Sequence, residues 1–145
     1  MEIRNLEPHD VWIETEITPL KIGTDGGNYS GAERIPGASD YPRQLGDGNV
    51  GVVRGVGSKV AHFYVGDRVV SREKHQSEYI THEFEPTFKV PNSLDSEDAA
   101  FAHLYTLSSL CYSKAQFQPA ENVAVVGLGL LGLGAVALGP LLGAR

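Results

Sequence analysis

Three glycines carry the most specific chemistry in this sequence. Gly127-Leu-Gly129-Leu-Leu-Gly132 follows directly on Asn122-Val-Ala-Val-Val, a compact apolar run that reads as a strand. A G-x-G-x-x-G that leaves a strand and opens a helix is a phosphate-binding turn. Its first glycine permits the tight turn, and its second lets backbone approach a pyrophosphate. The third lets helix and strand pack closely, with the phosphates at the positive helix end. Gly127, Gly129, Leu130, Leu131 and Gly132 are thus the candidate dinucleotide contacts. A glycine-rich helix packed against its neighbours would use the same residues without a ligand. Pro140 would kink or shorten that helix.

Other chemistry is thinner. The single cysteine, Cys111, excludes an intramolecular disulfide and a Cys-based zinc lobe, and it suits a reducing cytoplasm. His75 and His82 bracket an expected strand and have no metal-ligand spacing. Asp47-Gly48 reads first as a turn. Asn28-Tyr-Ser30 spells a glycosylation sequon, but the N-terminus lacks the apolar core of a signal peptide. The net charge is −6, and no basic cluster exceeds the pair Arg72 and Lys74, so nucleic acid and anionic membranes are set aside as partners.

The elements that must position these residues follow from pattern. At 145 residues and 41% hydrophobic content the chain has the composition of a globular domain. Residues 11–17 alternate apolar and polar, the period of a half-buried strand. Residues 23–48 hold seven glycines and two prolines and read as loop. Strands are expected at 49–56, where glycines suggest a bulge or close backbone packing, and near 67–71, 78–82 and 89–91. Several short strands separated by turns suggest a small barrel. Asp95 is a candidate N-cap with Asp98 at the third helical position, and a second helix spans 104–116. Every charged residue but Arg145 lies within 1–121. Residues 123–144 are long enough to cross a membrane. Their six glycines and Pro140, and the lack of an aromatic anchor, favour a buried strand-and-helix unit instead.

In this order the motifs resemble the medium-chain dehydrogenase/reductase family, the alcohol-dehydrogenase-like one. Gly23-Thr-Asp25 is similar to its C-G-T-D loop, and Gly51-Val-Val-Arg-Gly-Val-Gly57 to its G-x-V-x-x-V-G strand. Gly66-Asp-Arg-Val69 resembles its GDRV turn, and the glycine turn at 127–132 follows Pro91-Asn-Ser-Leu-Asp-Ser-Glu-Asp-Ala-Ala100 as expected. The resemblance runs from about residue 11 to the last residue. It implies a mainly β protein with α: a GroES-like β-barrel over 1–92, a helical connection over 93–120, and the first βα unit of a Rossmann domain over 121–145. It also implies NAD or NADP as cofactor.

Two departures from the family qualify that expectation. Zinc-using members place a Cys before the Gly-Thr-Asp and a Gly-His-Glu further on. Here Ile22 and Gly46-Asp47-Gly48 stand in those positions, and His103 lies near that of the third ligand. A catalytic zinc takes three protein ligands and a water, so the metal is expected to be lost. Thr24 holds the place of a hydroxyl that relays the substrate proton; it could equally serve the backbone. Thr24, Asp47 and His103 are therefore the catalytic candidates that the resemblance implies. His103 reads equally as a packed helix residue. Tyr29 and Tyr41 could donate to a developing oxyanion in place of a metal, or serve only as packing or surface residues.

The second departure concerns completeness. An acidic residue about 20 positions after the glycines holds the ribose in a Rossmann unit. Only 13 residues follow Gly132, none of them acidic. The expectation is an incomplete or split oxidoreductase acting on an alcohol, carbonyl or activated alkene. It would bind nicotinamide weakly by itself and pair with a complementing half or with copies of itself. The rival expectation is a non-catalytic partner or remnant that uses only the barrel for binding.

Overall fold

The computed structural model describes residues 5–31 and 41–145. The chain divides into two units, Met1–Ala100 and Phe101–Arg145.

The first unit is a curled antiparallel sheet with short helices. Its strands are β1 (Asp10–Ile17), β2 (Asn49–Val56), β3 (Arg68–Ser71), β4 (Glu78–His82) and β5 (Thr87–Lys89), in the order β4-β1-β2-β3-β5. Each neighbouring pair is antiparallel. In β1 the alternation seen in the sequence becomes two faces: Val11 and Ile13 are wholly buried, whereas Glu14 and Glu16 face solvent. The β1–β2 register slips where Trp12 pairs with Gly55 and Ile13 with Val53, which leaves Arg54 as the extra residue of a bulge. Bulges increase local twist, and this one helps curl the sheet. Close by, a Cβ on Gly51 would come 2.4 Å from the Glu14 carbonyl oxygen, so only glycine fits there.

The core has two clusters. Val53 joins Val11, Ile13, Phe63, Val69 and Tyr79 in one cluster, while Val50 joins Val90, Ala99 and Ala100 in another. Each buried Val or Ile contributes roughly 1.5–3 kcal/mol relative to exposure. Burial pushes the Tyr79 phenol up to about 12, against the opposing effect of its 2.7 Å hydrogen bond with Ser71. The Asp95 side chain accepts the Asp98 N–H at 2.7 Å and starts the short helix α2 (Ser96–Ala100), as its position suggested.

The loop expected over 23–48 is corrected at its start, where residues Ile22–Ser30 form helix α1 despite three glycines. Side chains hold it. Asp25 accepts the Lys21 N–H at 2.7 Å, and Asn28 Nδ2 donates to the Thr24 carbonyl at 2.9 Å. Gly31, at φ 71°, ends the helix in the left-handed conformation that glycine supplies freely. Residues 32–40 of the expected loop lie outside the described residues.

The second unit holds helices α3 (Ala102–Lys114) and α4 (Leu130–Leu141), which run side by side in the same direction. The wholly buried Ser108 places its Oγ 2.9 Å from the Leu131 carbonyl oxygen, and Tyr112 donates to the Ala135 carbonyl at 2.6 Å. Pro140 sits in the last turn, and α4 ends one residue later. The strand expected at 122–126 is corrected: this segment belongs to no ladder among the described residues, and Val126 is 99% exposed. A β-branched run needs a neighbouring strand to hydrogen-bond, and the described residues of this unit offer only helices. No helix among the described residues is long and apolar enough to cross a membrane.

Candidate functional site

Within the first unit, α1 and the segment after residue 41 enclose a polar cavity of about 580 Å3. Thr24 and Asp47 both line it, so two of the three catalytic candidates meet. Thr24 stands exposed on α1, its carbonyl held by Asn28. Asp47 lies 2.5 Å from Lys21 Nζ, an ion pair that ties the loop to the start of α1. His103 is half-buried on α3 and belongs to the second unit.

The cavity has members that sequence reading missed: Lys21, Asp25, Asn28, Arg43, Gln44 and Lys74. Arg43 Nη1 lies 3.4 Å from Asn28 Oδ1, and its guanidinium sits 5.1 Å from the centre of the Tyr41 ring. Lys74 Nζ donates to Gln44 Oε1 at 2.5 Å. Behind the cavity, Asp25 is buried and its carboxylate is 3.7 Å from His75 Nε2. Nothing local announces these partners, because 43 with 28 and 74 with 44 are brought together only by tertiary folding. The Tyr41 hydroxyl donates to the Asn28 carbonyl, so its proton serves the end of α1. Tyr29 is 81% exposed on the same helix.

The fit of a metal is poor. Ile22, 83% exposed, has no donor atom, and the Asp47 carboxylate already faces a lysine. Among the described residues no three His, Cys, Asp or Glu side chains gather as ligands.

The second candidate site is the turn before α4. Gly127 takes φ +93°, which an L side chain adopts only with strain. A Cβ on Gly132 would lie 1.9 Å from the Gly127 carbonyl oxygen, so the third glycine is required by the turn itself. Gly129 differs, since a Cβ there would meet nothing within 4 Å. It caps α4 without any side-chain hydrogen bond. The first N–H groups of α4, from Leu130 to Gly132, lack the acceptor that a preceding helical turn would give. Such a terminus fits a pyrophosphate. Gly127, Leu131 and Gly132 also border a cleft of about 540 Å3 between α3 and residues 121–127.

Solved structures resemble this arrangement along the whole chain. The quinone oxidoreductase of Pseudomonas syringae pv. tomato DC3000 matches 100% of the chain at 26% identity and a TM-score of 0.68. The Escherichia coli quinone oxidoreductase complexed with NADPH also matches 100%, at 25% identity and a TM-score of 0.69. Galactitol-1-phosphate dehydrogenase from Escherichia coli shares the fold over 99% of the chain, at 24% identity and a TM-score of 0.79. Along its whole length the chain thus resembles enzymes of the medium-chain dehydrogenase/reductase family. It spans about half the length of these family members, 45%, 46% and 48% in the same order. The curled sheet and helices are the half-barrel and helices of that family's fold. No protein-family model and no curated protein matches the chain.

Proposed function

We propose that this chain supplies the substrate side and the first phosphate-binding turn of an NAD(P)-dependent oxidoreductase. The open N-terminus of α4 at Gly129 carries this reading. Backbone donors from Leu130 to Gly132 would hold the pyrophosphate, and Gly129 would let it come close. When bound, the nicotinamide supplies or accepts a hydride, with an alcohol, carbonyl or activated alkene as the other partner.

In the first unit, Thr24 would pass the substrate proton, a role that its exposed position on the cavity wall supports. Asp47 acts on it indirectly, by fixing Lys21 and hence the start of α1. His103 is the third candidate, on α3. The chemistry is metal-free on this reading: Ile22 and the Lys21–Asp47 pair support it, and purified protein should carry no stoichiometric zinc. A cytoplasmic setting fits the free thiol of Cys111.

The test is an amide NMR titration of the chain with NADH and NADPH. Shifts confined to 127–133, with a Kd of ~1 mM or weaker, are expected from the few backbone donors of one helix N-terminus. Absence of any shift in 127–133 at saturating cofactor would remove the reading.

A further inference from the structure

We propose that His9 and His82 form a binding site for a late first-row divalent cation, copper(II) most tightly, at the rim where β1 meets β4. The site shares no residue with the cavity of Thr24 or with the glycine turn, and it stands apart from the oxidoreductase reading.

His9 is prepared for a metal by its other ring nitrogen. Its Nδ1 lies 2.6 Å from Glu83 Oε1, and the Glu83 side chain is only 1% exposed. The His9 bond and the Ala61 N–H, which donates to Oε2 at 3.0 Å, hold the carboxyl below its ordinary value of 4.5. An ionised carboxylate only accepts, so Nδ1 carries the proton of the neutral ring and Nε2 keeps its lone pair. A carboxylate on one nitrogen fixes the ring's orientation and raises the basicity of the other, which is how metal-binding histidines are supported. The His9 side chain is 36% exposed, so an ion can reach it from solvent.

The ladder supplies the second ligand. Asp10 pairs with His82, and the Glu83 N–H donates to the His9 carbonyl at 3.0 Å, so the register of β1 and β4 brings both imidazoles to one rim. Their ring centres are 5.3 Å apart. Two imidazoles on one ion at about 2 Å, with bond angles of roughly 90–110°, have centres about 4.5–5.2 Å apart. The rings therefore need little movement to share an ion. His82 is exposed, and its Nδ1 accepts the Phe84 N–H at 3.4 Å, a bond long enough to yield to a metal. The Phe84 ring flanks His9 and His82 at 5.7 Å and 5.3 Å and adds an apolar wall. Imidazole nitrogens suit copper, nickel and zinc rather than magnesium or calcium, and copper(II) heads that series. Among the described residues no third His, Cys, Asp or Glu joins the pair. Water completes the coordination, and so weak a site gives up its ion on dialysis against a chelator, in keeping with a protein that purifies without stoichiometric zinc.

The experiment is a titration of the full chain with copper(II), followed by electron paramagnetic resonance and by paramagnetic bleaching of amide NMR signals. Copper should bind through two nitrogens with a Kd of ~10 μM and bleach amides 9–11 and 81–84 first. Zinc(II) should compete more weakly, and magnesium not at all. His82→Asn, an exposed substitution, should weaken copper binding by ~10-fold or more, and Glu83→Gln by ~10-fold through loss of the charge behind His9. His62→Asn should leave binding unchanged, although that ring lies 6.4 Å from Phe84. Unaltered dispersion of the β1–β2 amides shows that a variant is folded, and His82→Asn decides the matter where Glu83→Gln does not fold. Bleaching centred first on His75 or His103, a single bound nitrogen, or unchanged affinity in His82→Asn or in folded Glu83→Gln would overturn the proposal.

Discussion

His9 and Glu83 are 74 positions apart, yet the imidazole Nδ1 donates to the carboxylate at 2.6 Å. Glu83 is almost wholly buried just beyond β4, and its other oxygen accepts the Ala61 N–H at 3.0 Å. The His9 hydrogen bond, with the Ala61 N–H behind it, holds the Glu83 carboxyl below its ordinary value of 4.5. A depressed carboxylate stabilises the fold at pH above its unfolded value. That contribution is lost as pH falls through the folded value. Glu83→Gln should therefore lower the thermal midpoint at neutral pH and flatten its decline below about pH 4.5. Parallel melting curves for both proteins from pH 7 down to pH 3 would refute the pairing.

The start of α1 depends on one carboxylate. Asp25→Ala would strand the Lys21 N–H and remove the charge facing His75. The expected cost is about 1–3 kcal/mol. Because α1 carries Thr24, hydrogen exchange over 22–30 should accelerate more than exchange in β1 and β2. Uniform acceleration across the sheet would mean that Asp25 acts globally instead.

The glycines of the turn should separate by role. Gly129→Val should leave the α4 amides protected and abolish the NADH shifts, since its side chain enters open space. Gly132→Ala should disturb α4 itself, because its Cβ falls 1.9 Å from the Gly127 carbonyl oxygen. Retained cofactor shifts in Gly129→Val would count against a pyrophosphate at this turn.

Residues 123–126 should be among the fastest-exchanging amides of the second unit. They have no ladder partner among the described residues, and Val126 is almost fully exposed. Slow exchange there, comparable with α3, would show that the segment is paired in solution.

Strands were legible where local pattern and tertiary role coincide. β2 and β4 fall on the residues that alternation and turn signals marked, 49–56 and 78–82. The Asp95 cap and the opening of a helix after the glycines were equally local. Helix α1 was not, because its glycine-rich stretch is held by the side chains of Asp25 and Asn28 rather than by a hydrophobic stripe. The run at 122–126 has a strand's composition, but a strand exists only with a neighbour. The cavity showed only its Thr24 and Asp47. Lys21, Arg43 and Lys74 have no shared motif, and folding alone assembles them.

The two hydroxyls of α3 also gauge how far along its own axis α4 can sit. Ser108 and Tyr112 are one turn apart and address Leu131 and Ala135, likewise one turn apart. A slip of one residue would miss both carbonyls. A slip of a whole turn would find carbonyls again, but it would carry Leu130 or Leu138 to the place of Gly134. Even a bare Cβ at Gly134 lies 2.5 Å from Ser108 Oγ, so neither leucine could enter. The helix pair thus has a single stop, and the glycine turn ahead of α4 is held at one height.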